Sequence, residues 1–134
     1  MHIWTAPLTD YMDYYHLLIK NVEYLDFPWV KTATKDAIER YVKKGNMFKI
    51  IHENQFVGTL SFKAVPDGLE LGYWLDHDFR NMGIMTQLLR QLKRNGQPYI
   101  IVTELSNRAN QRACEKAGFI ESRRDEKFIT YISH

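Results

Sequence analysis

Two stretches of this 134-residue chain carry residues whose type and spacing suit chemistry. In the first, a short polar turn over residues 76–82 ends on Gly83 and runs straight into a helical stripe of Ile84, Met85, Leu88, Leu89 and Leu92. A helix opened by so tight a turn presents unpaired backbone N–H groups at the positive end of its dipole. That setting suits an anion, most often a phosphate. The run ahead of it, 69–75, is apolar and aromatic with a single charge, Glu70. In the second stretch, Asn107 opens a helix on which Ala109, Ala113, Cys114 and Ala117 make a stripe of small residues. Asn107 has the side chain of a helix N-cap. A lone cysteine on such a stripe is more often packing than chemistry.

Local pattern supplies the elements that must position these groups. An edge strand over 1–8, closed by Pro7, precedes a helix over 10–20 that Thr9 or Asp10 can cap, with Tyr11, Tyr14, Tyr15, Leu18 and Ile19 as its apolar stripe. Residues 21–34 read as a loop, unusually apolar for a connection. A second helix over 36–44 turns Ile38, Tyr41 and Val42 inward and stops at Gly45. Strands at 47–52, 56–63 and 69–75 follow, joined through Glu53-Asn54 and Pro66-Asp67-Gly68, and make an antiparallel meander. After the helix over 83–95 comes an apolar strand at 99–103, which the crossover places parallel to the strand at 69–75. A helix over 107–117 and a hairpin of 119–123 with 128–133 complete the chain. The pattern predicts an α/β (α+β) fold, a mixed, largely antiparallel sheet of about six to seven strands flanked by about four helices.

Length and a 45% hydrophobic content predict one domain over 1–134 with a proper core. A net charge of +2 is too small to argue for nucleic acid, although no acid interrupts Arg80, Arg90, Lys93 and Arg94 between residues 79 and 103. Those bases complement a helix C-terminus, favour a polyanionic ligand, or both. One cysteine excludes an intrachain disulfide and predicts a reducing, cytoplasmic setting. No apolar run predicts a membrane span, and the opening residues have no basic region followed by an apolar stretch. The histidines at 2, 16, 52, 77 and 134 lack metal-ligand spacing, so no metal is expected.

Arg80-Asn81-Met82-Gly83-Ile84-Met85 resembles the pyrophosphate-binding loop of the GNAT superfamily of N-acetyltransferases, whose pattern is Gln/Arg-x-x-Gly-x-Gly/Ala. Glu70-Leu71-Gly72-Tyr73-Trp74-Leu75 ahead of it, and Gly83-Ile84-Met85-Thr86 within it, are similar to the branch that acetylates ribosomal-protein N-termini. Asn107 to Phe119 resembles that branch's Asn-x-x-Ser…Glu-Lys-x-Gly-Phe helix. The motifs cover roughly residues 58–119; the first 45 residues match loosely, and that end would choose the substrate.

The resemblance implies an acetyl-CoA-dependent N-acetyltransferase in which a primary amine, of a protein N-terminus or a small molecule, attacks the thioester directly. It places the pantetheine arm on the main chain of Tyr73, Trp74 and Leu75, with the Leu75 N–H as oxyanion donor. The pyrophosphate would rest on the N–H groups of residues 80–85, beside Thr86, with Asn107 and Asn110 also at the cofactor. Glu70 would be the general base, unless it serves a structural ion pair. Asn81 replaces a glycine common in the branch and Met82 a basic residue, so weaker cofactor affinity is expected. For the leaving thiolate the branch offers a Ser where this chain has Asn110, and many relatives a Tyr where it has Cys114, so the general acid stays open. Glu23 and Asp26 could steer a cationic amine, with Phe27 and Trp29 walling its channel or plugging the loop onto the core. No nucleic-acid or membrane partner is expected, and a homodimer is compatible with the sequence. The alternative is a non-catalytic acyl-CoA-binding or protein-interaction domain that keeps the fold.

Overall fold

A computed structural model describes residues 1–25 and 32–134. They form two compact units, residues 1–61 with 73–80 and residues 62–72 with 81–134.

The first unit holds β1 (Ile3–Pro7), α1 (Tyr11–Lys20), a 3-10 turn (Val22–Tyr24), α2 (Lys35–Lys43) and β2 (Met47–His52), with most of β3 (Gln55–Val65) and the last residues of β4 (Gly68–Leu75). β1 pairs antiparallel with β2, and β2 with β3. The β2–β3 register shifts between Ile50 and Ile51, where Val57 is the extra residue of a bulge. Side-chain caps start both helices: Asp10 accepts the Met12 N–H at 2.9 Å and Thr34 accepts the Ala37 N–H at 3.2 Å. Their inner faces meet Met47 and Leu8 in one core of Tyr14, Leu18, Ile38 and Val42, with Trp74 packed against it. The apolar stripe of α1 lies one position off the expected one. Leu17 is buried and Ile19 is 54% exposed, because Tyr14, Leu17 and Leu18 are the set that shares one helical face. Tyr41 is likewise exposed, its ring edge-on to Tyr14.

The second unit holds the remainder of β3 and β4, then α3 (Ile84–Lys93), β5 (Tyr99–Glu104), α4 (Arg108–Lys116), β6 (Ile120–Arg124) and β7 (Phe128–Ile132). β4 and β5 run parallel, while β5 with β7 and β7 with β6 are antiparallel. Strand alternation buries Tyr99, Ile101, Ile129 and Tyr131, while α3 buries Ile84, Leu88 and Leu89 and α4 buries Cys114. Arg90 on α3 donates to the Lys116 carbonyl at the end of α4, and the Tyr131 hydroxyl donates to Glu115 at 2.7 Å. Among the described residues the strand order is β1-β2-β3-β4-β5-β7-β6, one mixed, mainly antiparallel sheet with four α-helices, as the pattern predicts.

Candidate active site

The last residues of β4 are fixed by a close approach. A Cβ on Gly58 of β3 would overlap the Trp74 carbonyl oxygen, so only glycine lets the two backbones meet there. The Trp74 main chain is therefore turned to β3. The Asp76 N–H is turned the same way, donating to the Val57 carbonyl at 2.7 Å. Pleat alternation then points the N–H and C=O of Leu75 away from β3. The Leu75 carbonyl takes a bond from Arg80 Nε at 3.4 Å, which leaves its N–H on that same edge. The Trp74 side chain packs inward, its ring 6.5 Å from that of Tyr14 and bonded to the Tyr14 hydroxyl. Burial first, and Tyr41 second, push that hydroxyl well above its ordinary value. Tyr73 is half-buried.

Beyond Leu75 the chain is pinned by a cluster that sequence pattern does not reveal. Asp76 is 2% exposed. Its carboxylate accepts Lys20 Nζ at 2.6 Å and the Asp78 N–H at 3.1 Å, and Lys20 reaches Asp78 as well, at 3.1 Å. Next to it, buried Asn21 accepts the His77 N–H at 2.7 Å and donates to the Leu17 carbonyl at 3.0 Å. Tyr24 stacks on His77 with ring centroids 3.7 Å apart. The sole signal in sequence is that Asp is a common cap after a strand, and Asp76 does cap the 3-10 turn His77–Phe79.

In the second unit α3 starts without a side-chain cap and with no acid in its first turn. Asn81 at φ 62 and Gly83 at φ 79 both adopt left-handed backbone, which Gly tolerates freely and Asn better than most. Asn81, Met82 and Gly83 are exposed, Ile84 is buried, and Met85 and Thr86 are half-buried. A Cβ on Gly83 would meet no protein atom, so an approaching ligand is what the missing side chain leaves room for. The bare N–H groups and the open approach fit a pyrophosphate.

Elsewhere in this unit Asn107 caps α4, its side chain accepting the Asn110 N–H at 3.2 Å, and Asn110 is half-buried. Cys114 has no exposed surface. A thiol with none cannot touch a bound thiolate, so Cys114 is corrected from general acid to packing residue. The parallel ladder of β4 with β5 runs over two residue pairs, Leu69↔Tyr99 and Glu70↔Ile100. Glu70 is half-buried there, in a groove of about 450 Å³ that also meets Arg123 and His134. Of the acceptor residues, Glu23 is exposed on the 3-10 turn, whereas Asp26, Phe27 and Trp29 lie outside the described residues.

The chain is 26% identical over 127 residues to the ribosomal-protein-serine acetyltransferase of Escherichia coli (strain K12), spanning 79% of this chain and 71% of that protein. Among solved structures it is similar to RimL, a ribosomal L7/L12 alpha-N-protein acetyltransferase in complex with coenzyme A. The TM-score is 0.76 at 22% identity, covering 97% of this chain and 91% of that one. The microcin C7 self-immunity acetyltransferase MccE, in complex with acetyl-CoA and AMP, gives a TM-score of 0.81 at 16% identity over 97% and 91% of the two chains. At such identities the solved structures speak for the fold. A family profile described as an acetyltransferase (GNAT) domain matches residues 4–120, nearly the whole chain, and with that match the chain belongs to the GNAT acetyltransferases.

Proposed function

We propose that this chain transfers an acetyl group from acetyl-CoA to a primary amine, and that the amine is the N-terminus of a protein of the ribosomal kind. The observation that carries the reading is the start of α3, where left-handed Gly83 exposes uncapped N–H groups in the Arg80-x-x-Gly83 register. Acetyl-CoA brings an activated acyl thioester. The protein's part is to hold and orient. The N–H groups of residues 80–85 hold the pyrophosphate, and the missing base at Met82 leaves that grip weaker by one charge. The Leu75 N–H, turned away from β3, donates to the acyl oxygen as negative charge builds on it. The short β4–β5 ladder supports this role, because it engages Leu69 and Glu70 only.

An amine must lose a proton to attack. Glu70 accepts it through ordered water. The amine nitrogen bonds to the acyl carbon, the carbon–sulfur bond breaks, and the proton that the nitrogen gives up as the amide forms is relayed through water to the departing thiolate. Glu23, exposed on the 3-10 turn that follows α1, steers a cationic amine inward.

The test is release of CoA across a panel of amines that includes peptides with free N-termini, run beside acetyl-CoA binding. Turnover fastest on an N-terminal peptide supports the acceptor assignment. Turnover confined to small amines overturns the acceptor, and binding without turnover overturns the transfer.

A further inference from the structure

The Asp76 cluster has no part in the chemistry described so far, yet its carboxylate is buried and bonded to several donors. The carboxylate is almost wholly enclosed and takes Lys20 Nζ, the Asp78 N–H and a donor of the Asn21 side chain. A buried carboxylate is costly unless it is paired and hydrogen-bonded, and this one is both. A cap for a three-residue 3-10 turn needs only a Ser or Asn, so the charge and its lysine partner exceed what the turn requires.

Its backbone shows what the excess secures. The Asp76 N–H, at 2.7 Å from the Val57 carbonyl, belongs to the peptide that joins it to Leu75. The Leu75 N–H lies one peptide earlier, so a displacement of Asp76 carries the Leu75 Cα, and with it that N–H, out of place. Two grips on Asp76, one on its N–H and one on its carboxylate, oppose the displacement. The second grip is anchored on Lys20, the last residue of α1 and 56 residues away in sequence, with Asn21 next to it also bonded to the carboxylate.

We propose that Asp76 is a positioning residue for acyl transfer, holding the Leu75 N–H in the direction of the acyl oxygen by tying the end of β4 to Lys20 of α1 and to Asn21 just beyond it. The inference rests on the acetyl-transfer reading and on Leu75 as oxyanion donor. It assigns Asp76 no contact with substrate. A donor misplaced by about 1 Å can cost on the order of 10²-fold in rate while binding is barely touched.

The experiment compares Asp76→Asn, Lys20→Met, Lys20→Arg and the Asp76→Asn/Lys20→Met double variant with the wild type. It reads kcat on the best amine of the panel, the acetyl-CoA Kd by calorimetry, and Tm. Expected are kcat losses of about 10- to 100-fold in Asp76→Asn and Lys20→Met, with acetyl-CoA Kd within about threefold. Lys20→Arg should recover most of the loss, and the double variant should be no slower than Asp76→Asn. A structural role alone would lower Tm and leave kcat of the folded protein unchanged, which overturns the proposal, as do additive losses or a kcat that falls only in step with acetyl-CoA affinity. Should Asp76→Asn not fold, Lys20→Met decides, because the Lys20 side chain is half exposed. A wild type without turnover on any amine overturns the acetyl-transfer reading itself, whereas an active wild type with an unimpaired Lys20→Met overturns the positioning role alone.

Discussion

Any side chain placed at position 83 must adopt φ 79, a conformation that costs non-glycine residues roughly 1–2 kcal/mol, and must then occupy the approach to α3. Saturating acetyl-CoA should stabilise the wild type by roughly 2–4 kcal/mol through mass action. Gly83→Glu should lose that gain entirely, because a negative charge and a side chain would both sit where the phosphates bind; differential scanning calorimetry with and without acetyl-CoA reads this directly. Glu70 is a separate matter of proton transfer. At neutral pH most free amines are protonated, so a base that acts through water should still show in kcat. Glu70→Gln is expected to lower kcat by about 10²-fold, the lower end of the range for a positioned base, with acetyl-CoA affinity unchanged. Part of the rate should return at high pH, where the amine arrives deprotonated. A wild-type rate and pH profile in Glu70→Gln would make Glu70 a structural partner in its groove.

At the scale of elements, each end of a helix near the site does a different job. The start of α3 has no side-chain cap, while the start of α4 is capped by Asn107 from within. The two roles considered for Asn107 can be separated. Asn107→Ala removes the cap and should cost about 1 kcal/mol in denaturant unfolding. Asn107→Ser keeps a capping oxygen and should restore that stability. If Asn107 also holds the cofactor, acetyl-CoA Kd should stay raised in the Ser variant, because the carboxamide N–H₂ is still missing; a wild-type Kd would leave Asn107 as a cap alone. The end of β4 carries a similar division. Trp74 turns its main chain to β3 and its ring to the helical core, and Leu75 turns its main chain the other way.

For the molecule as a whole, the Lys20–Asp76 pair predicts how stability follows pH. Burial pushes the Asp76 carboxyl up, but the bonds from Lys20 and from the Asp78 N–H outweigh it and hold the group below its ordinary 3.8. Lys20 is held above its ordinary 10.5, first by its bond to Asp76 and then by that to Asp78. A depressed carboxyl contributes stability above its unfolded pKa and loses it as pH falls through the folded value. A raised amine contributes below 10.5 and loses it as pH rises through the folded value. The Tm gap between wild type and Lys20→Met should therefore be widest from about pH 5 to 9 and close at both extremes. A gap that does not vary with pH would mean that Lys20 stabilises by packing alone.

The sequence by itself determined the helix starts, the tight turn that ends on Gly83, the Asn107 cap and the strand–helix–strand order. Each of these depends on backbone preference or periodicity within a few residues. Tertiary structure alone decided that Trp74 faces β3 while Leu75 does not, that Cys114 is sealed, and that Asp76 meets Lys20 and Asn21. An apolar stripe tells which face is inward but not what it meets. A buried carboxylate finds its lysine only once the chain between them has folded, and here 56 residues separate the two.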